Sequence, residues 1–500
     1  MNYSDRFNQL INDFEFNLNQ STVRRTSAGE FIISALNFLK NDLLDKAESG
    51  LLSHKGQLPA AGFTLLGVIA GLKKNHQSCE TYFQKVIEDT NSEFNLVCLA
   101  GDFSRFFGLM KIAIKAYECA ISRSPHSGQA FLQRGQAYSE AGDVSAAIDD
   151  LHRAILLQPN LISAHISLGD EYRSANMTDA AFKCYRAALN IDPNNFKAQS
   201  GLDLTLALTL PQWHSAMLND EIRNQAFEKA IKSAVKPGCS VLDIGTGTGL
   251  LAMVASRAGA KRVIGCESVE FLAEAAKEIV QQNYLEDKIS ILHKWSKDLT
   301  IGEDIAEPVD IIIAEIVDTG LLGENIIAVI SDARRRLGKP GATTIPCGAK
   351  VYAAPIESKE IALERRVSMA NGFNISLLNS LRPNMYIQTD LSKYDWRMLA
   401  EPVQIFDLDF TRDQPLLKQE SFCLTPHSDG TAHCIAFWFD LHLSQTVTLS
   451  TAPEKPATHW KQAVYTFSDP VEIKQNEPIR MNASHNQSKI TLSLGGRGPD

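Results

Sequence analysis

The chain has 500 residues, 44% hydrophobic and 21% charged, with 58 acidic against 49 basic groups and a formal net charge of −9. That length exceeds one ordinary core and predicts two or three domains, while the acidic balance argues against direct nucleic acid binding and suits a basic protein or peptide partner. There is no basic start followed by an apolar run, no stretch approaching membrane-span length, and no metal-ligand spacing among the nine cysteines; a cytoplasmic protein (or a nuclear one, if eukaryotic) without membrane association, secretory signal or metal is expected.

Glycines recur every 34 residues in the first part of the chain, at Gly67, Gly101, Gly135 and Gly169. Counted from each glycine, Ala113, Ala147 and Ala181 stand at plus twelve, Phe83, Tyr117, Leu151 and Tyr185 at plus sixteen, and Pro125, Pro159 and Pro193 at plus twenty-four. This pattern resembles the tetratricopeptide repeat, a pair of antiparallel helices. Small residues let the two helices approach, the bulky residue packs between repeats, and proline ends the second helix. The repeat at Gly67 departs from the pattern, with Cys79 and Asn91 in place of the alanine and proline. Residues 30–56 read as a further helical pair capping the stack. An α-helical solenoid over 1–203 presents a concave surface, on which a partner or substrate protein is expected.

After Gly201 the period fails, and from Ser240 the chain reads SVLDIGTGTGLLAMVASRAGA. Val241, Leu242 and Ile244 predict a buried strand, Gly245, Gly247 and Gly249 a tight turn, and Leu250–Arg257 a helix. Such a turn also fits dinucleotides, whose pyrophosphate sits at the helix N-terminus. Asp243 separates the two ligands, since a carboxylate there repels a pyrophosphate but favours S-adenosylmethionine, with its sulfonium and amino group. The next strand, Arg262–Cys266, ends at Glu267, eighteen residues after the last glycine, where an acid can accept both ribose hydroxyls. Further strands near 289–294 and 309–316 complete an expected α/β doubly wound (Rossmann-like) domain over 204–348.

The apolar strand Val309–Ala314 runs into Glu315-Ile-Val-Asp-Thr-Gly-Leu-Leu-Gly-Glu324, which can fold back so that two glutamates face each other. Facing carboxylates repel and raise one pKa unless a cation lies between them. A guanidinium, with its planar fork of donors, answers that need. Alternation at Thr446–Ser450 and Lys489–Leu494 predicts a β-barrel domain over 349–500 as the other wall of the cleft.

These residues resemble the protein arginine methyltransferase family, whose double-glutamate loop has this spacing. The stretch from His214 through Met217 to Arg223 resembles the family's helix that closes over the cofactor, and Thr458-His459-Trp460 resembles its threonine-histidine-tryptophan loop. Phe437-Trp438-Phe439 and Leu449–Pro453 are similar to its barrel strands, so that the resemblance spans about residues 211–485. It implies that Arg223 pairs with the cofactor's carboxylate, that His214 and Ser296 line the cofactor site, and that Met217 lies near the transferred methyl. It also implies that His459 and Trp460 line an arginine pocket. Lys297 stands where the family has an acid beside the adenine.

Within the family, the repeats, Trp213-His214 and Asp318 resemble the branch that carries tetratricopeptide repeats. Thr458-His459-Trp460 is the form typical of members making asymmetric dimethylarginine, whereas Asp318 resembles branches making monomethyl or symmetric products by crowding the pocket. Monomethylarginine is the minimum expected product, with any second methyl leaning to symmetric. The chain has room for one catalytic module, so a ring of the family's kind would need two copies, with a dimerisation arm near 371–390. The implied chemistry is charge localisation: Glu315 and Glu324 draw positive charge away from one nitrogen of a delocalised guanidinium, which then attacks the methyl in line. Two other readings are open. One is an enzyme using the same cofactor on a small molecule or nucleic acid base, although the chain has no Asn- or Asp-Pro-Pro-Tyr motif for a base and the paired glutamates would repel phosphate; the other is an inactive scaffold, which would not be expected to keep Asp243, Glu267, Glu315 and Glu324.

Overall fold

The computed structural model describes residues 3–54, 58–209, 213–381, 383 and 385–495; the side chain of Trp213, one of the family-like positions, lies outside the described residues, as do 496–500. Two compact units divide the chain, Met1–Leu210 and Pro211–Asp500.

The first unit is helical: α1 (Tyr3–Gln20), α2 (Ser27–Lys40), α3 (Leu44–Leu52), α4 (Ala60–Leu72), α5 (His76–Glu88), α6 (Phe94–Phe106), α7 (Met110–Arg123), α8 (Gly128–Ala141), α9 (Val144–Leu157), α10 (Ile162–Ser174), α11 (Thr178–Ile191) and α12 (Phe196–Thr209). The 34-residue glycines are where paired helices touch. A Cβ at Gly67 would sit 2.6 Å from the Phe83 ring, one at Gly101 2.6 Å from the Tyr117 ring, and one at Gly169 2.8 Å from the Tyr185 ring. Each bulky residue at plus sixteen thus fills the space its own repeat's glycine leaves. The degenerate repeat keeps this contact although its alanine and proline are gone. Helices α2 and α3 form the pair expected over 30–56. Helix α1 was not foreseen; its Phe7 packs on Phe103 and Phe106 of α6, at ring-centre distances of 6.5 and 5.4 Å. The core of this unit is one large apolar cluster spanning α1 to α7, from Ile11 to Ile112, accompanied by smaller clusters each shared by neighbouring helices. The sequence boundary at 203/204 shifts. Leu202 and Thr205 are both buried on α12, so the helical period runs on to Thr209 and 204–209 belongs to the first unit.

The second unit opens with α13 (Trp213–Leu218) and α14 (Glu221–Ala234), followed by β1 (Ser240–Ile244), α15 (Leu250–Arg257), β2 (Arg262–Glu267), α16 (Glu270–Gln282), β3 (Ile289–His293), β4 (Val309–Ala314), α17 (Ile326–Arg336) and β5 (Gly338–Ile345). The strands form one parallel sheet in the order β3-β2-β1-β4-β5. The change of direction in strand order falls beside β1, where β1 and β4 present their carboxyl ends together, the place such sheets offer to ligands. Strand β5 goes beyond the strands expected from sequence, since Gly338, Pro340 and Gly341 disfavour a strand interior. It lies at the sheet edge, where a proline lacking an N–H is tolerated.

From Gly348 the strands turn antiparallel. Gly348–Glu357 pairs with Gly430–His442 and Val403–Asp409, Gly430–His442 pairs with Gln462–Ile473, and a second sheet joins Lys418–Leu424, Ile479–His485 and Ile490–Leu494. One hydrophobic cluster runs from Phe227 through both sheet systems to Leu494, so the change of sheet type near 348 lies within a single packed unit. Between these strands, Met369–Ala370 and Phe373–Asn374 form a two-residue ladder, followed by a 3-10 turn at Ser376–Leu381 and the short strand Ile387–Thr389. Met369, Phe373, Leu377, Leu381 and Met385 in this segment are exposed.

Candidate active site

The glycine turn after β1 is left-handed at three places, with φ of +66° at Gly245, +54° at Gly247 and +78° at Gly249. These are conformations that side chains other than glycine's resist, so the turn is bare backbone. Asp243, 1% exposed, lies beneath it and accepts the Thr246 hydroxyl at 2.6 Å. Burial pushes its carboxyl up to about 7, against the pull of Thr246, the Ala252 N–H and Arg223. Glu267, at the end of β2, reaches back to accept the Gly247 N–H at 3.1 Å and accepts the Val269 N–H at 3.0 Å. His214 of α13 stands over the turn, its imidazole 3.8 Å from where a Cβ on Gly247 would be. Burial lowers its pKa, aided by Arg223 and opposed by Glu267. The structure therefore brings Asp243, the three glycines, Glu267 and His214 together. Met217 sits half-buried on the same helix. Ser296 follows β3, half-buried, with its carbonyl taken by the Arg336 guanidinium at 2.9 Å.

Arg223, 3% exposed, lies over the Phe227 ring at 5.2 Å and donates from Nη2 to Glu315. Its Nη1 donates to Asn224 at 2.8 Å, while its buried Nε has no hydrogen-bond partner among the described residues. The Glu315 side chain is 6% exposed. Burial raises its pKa, and the Arg223 charge and hydrogen bond only partly offset that. Glu324 closes the loop. Its side chain is exposed by surface area, yet protein atoms crowd the carboxyl; lost hydration, then the charges of Glu315 and Asp318, push it up to about 7.

His459 and Trp460 have different stations. The His459 ring donates or accepts at Nδ1 with Asp220 Oδ2 at 3.0 Å, and its backbone N–H donates to the same oxygen at 2.8 Å; both side chains are 5% exposed. Trp460 is a brace behind the double-glutamate loop. Its indole N–H donates to the Val317 carbonyl at 2.6 Å, and its own carbonyl accepts the Thr319 hydroxyl at 2.9 Å. Asp220 was not singled out from sequence, although an aspartate before an apolar helix is a capping signal. It does cap α14, accepting the Arg223 N–H at 2.9 Å. Burial opposes its ionisation, but His459 and the two backbone N–H groups hold its pKa below the usual value. Asp318 is turned into the loop, accepting the Gly323 N–H at 2.8 Å and the Tyr386 hydroxyl.

A cation between Glu315 and Glu324 requires both to be ionised. Because the folded chain holds the Glu324 proton more tightly than a free glutamate would, ionisation is completed only as pH rises past about 7. For a guanidinium substrate, kcat/KM is expected to climb about tenfold per pH unit below that point and level above it. A pH–rate profile checks this; a flat profile from pH 6 to 8 counts against Glu324 holding the substrate.

Residues 348–493 match the family described as arginine methyltransferase oligomerization subdomain, residues 226–349 that of ribosomal protein L11 methyltransferase, and residues 128–161 and 162–195 the tetratricopeptide repeat. An arginine N(omega)-methyltransferase of Streptomyces achromogenes is 33% identical over 309 residues, covering 62% of this chain and 86% of that one. Protein arginine N-methyltransferase 9 of Xenopus laevis is 31% identical over 348 residues, covering 63% of this chain and 42% of that relative, so this chain spans less than half its length. Among solved structures, the Trypanosoma brucei PRMT1 enzyme–prozyme heterotetrameric complex with AdoHcy has a chain that superposes with a TM-score of 0.52 at 25% identity, over 58% of this chain and 93% of that one.

Proposed function

The chain belongs to the arginine N-methyltransferase family, whose methyl donor is S-adenosylmethionine, and we propose that it methylates the ω-nitrogens of arginine side chains in a protein recruited through its helical repeats. The single observation that carries this reading is the buried Arg223–Glu315 pair beside Glu324, near enough to the glycine turn that both charges act on the Asp243 carboxyl. The residues present fit the donor. Arg223 Nε is a buried donor awaiting an acceptor, as a carboxylate would supply, and the bare turn allows a ligand to lie along the backbone. Arg223 would hold the carboxylate, Glu267 the ribose hydroxyls and Ser296 the adenine side, with Asp243 under the turn, His214 over it and Met217 by the methyl. When bound, S-adenosylmethionine supplies a methyl group on an electrophilic sulfonium.

The chain's own residues supply position and charge. Glu315 and Glu324 grip the guanidinium and concentrate its positive charge away from the third nitrogen, restoring a lone pair there. The new N–C bond replaces an N–H, so one proton leaves while the guanidinium keeps its charge. With Nδ1 engaged by Asp220, Nε2 is the ring atom of His459 left to take that proton. Monomethylarginine is the first product, with symmetric dimethylarginine as the second. The free cysteines suit a cytoplasmic enzyme.

The test is incubation of the full chain with labelled S-adenosylmethionine and either an arginine-rich protein mixture or free L-arginine, followed by hydrolysis and identification of the methylated product. Label in protein-bound methylarginine supports the proposal, and its isomer settles the product. The well-covered Streptomyces relative is named for arginine without mention of protein. Label confined to free arginine would therefore establish that second reading, and label on neither would refute both.

We further propose that the exposed apolar segment from Met369 to Met385 packs on a second copy of this chain, since large apolar side chains clustered on a surface mark an interaction site. Changing Leu377 and Leu381 together to aspartate is expected to halve the mass seen by sedimentation equilibrium. A wild-type chain that sediments as a monomer counts against the dimer.

A further inference from the structure

Strand Ile387–Thr389 emerges from the exposed segment, and the residues around it reach both catalytic loops. The Tyr386 hydroxyl donates to Asp318 Oδ2, while Asp318 Oδ1 takes the Gly323 N–H at 2.8 Å, one residue before Glu324. Two residues on, the Gln388 amide donates to the His459 carbonyl at 2.9 Å and to that of Trp460 at 3.2 Å. The loop is shaped around the first of these contacts. A Cβ on Gly320 would fall on the Tyr386 phenol, and one on Gly323 would sit 2.6 Å from Asp318 Cγ. Between them Leu321 is buried and held at φ +72°, a conformation a leucine does not keep unless its surroundings impose it.

We propose that Tyr386 is a positioning residue for methyl transfer: by clasping Asp318 it fixes the path of the loop between Glu315 and Glu324, and so the separation of the two carboxylates that grip the guanidinium. Gln388 steadies the His459 loop from the same strand. On this account Asp318 is a tie within the loop, both its oxygens committed to protein donors. The proposal rests on the arginine-methylating reading of the site. A purely structural part is also open to Tyr386, whose ring stands edge-on to Phe437 at 5.3 Å and to Tyr465 at 5.8 Å. Phenylalanine keeps those ring contacts and removes only the hydroxyl, so it separates the two roles.

The experiment compares the full-length wild type with Tyr386→Phe, Asp318→Asn and the double variant. The readouts are amide hydrogen exchange across residues 318–324, S-adenosylmethionine affinity by calorimetry, and steady-state kinetics with an arginine substrate. In Tyr386→Phe the Gly323 amide is expected to exchange about tenfold faster, and kcat/KM for the arginine substrate to fall about 10- to 100-fold through displaced carboxylates. S-adenosylmethionine affinity should stay within about twofold. The double variant should be no worse than the poorer single variant, because both changes open the same clasp. Unchanged kcat/KM in Tyr386→Phe, or losses that multiply in the double variant, would overturn the proposal. A wild type that methylates no arginine overturns the reading beneath it, and loop exchange then decides by itself whether Tyr386 holds the loop.

Discussion

Glu315→Gln is expected to lower kcat for arginine methylation about a thousandfold, since one of the two charges that polarise the guanidinium is removed where little water can screen it. Cofactor affinity should fall far less. The amide oxygen of glutamine can still accept from Arg223, so the closing helix keeps its anchor and the glycine turn is untouched. The signature is a kcat effect without a matching loss of S-adenosylmethionine binding, measured by single-turnover kinetics and calorimetry on one preparation. Equal losses in both would mean that Glu315 serves mainly to hold Arg223, and that the guanidinium is gripped elsewhere.

Removing the other member of the pair should harm the fold as well. Arg223→Met leaves the Glu315 carboxylate buried and unpaired, a change that costs about 3–5 kcal/mol for pairs of this kind. The cost has a pH signature. Glu315 already binds its proton more tightly than a free glutamate, whose value is 4.5, and loss of the Arg223 charge raises it further. A group protonated more readily in the folded state stabilises the fold at low pH and loses that advantage as pH rises through its folded value. The melting temperature of Arg223→Met should therefore lie near wild type at pH 5 and well below it at pH 8. Arg223→Met combined with Glu315→Gln should melt higher at pH 8 than Arg223→Met alone, because no unpaired charge remains. A deficit of equal size at both pH values would show that lost packing over Phe227 is the cause.

What could be read from the residues was what lies close together along the chain. The 34-residue period needs only helix pairs to explain it, and Gly101 against Tyr117 is a contact within one repeat. The glycine turn, Asp243 and Glu267 likewise sit within one strand–helix–strand passage, and the double-glutamate loop within one hairpin. What escaped notice was non-local or hidden by composition. Asp220 and His459 are 239 positions apart, and nothing in either stretch announces the other. Tyr386 and Gln388 lie in a segment whose strand is three residues long, too short for alternation to show. Trp460 was identified as a pocket residue through its loop, but which side of the loop its indole takes depends on the Val317 carbonyl. Lys297, expected to stand in an acid's place beside the adenine, has its ammonium 5.7 Å over the exposed Trp295 ring.

The division of apolar contacts sets how far damage travels. From α8 onward each cluster of the repeat unit belongs to a few neighbouring helices, so a lesion at the Gly169–Tyr185 contact is felt by the next helix pair and fades beyond it. In the catalytic unit one cluster links parallel and antiparallel sheets, and a cavity opened in it is shared by both. Sequence drift is accordingly cheaper in the later repeats than in the catalytic unit. Cys79, which departs from the repeat's alanine, lies instead in the large cluster of α1 to α7, where it is fully buried and keeps that cluster apolar.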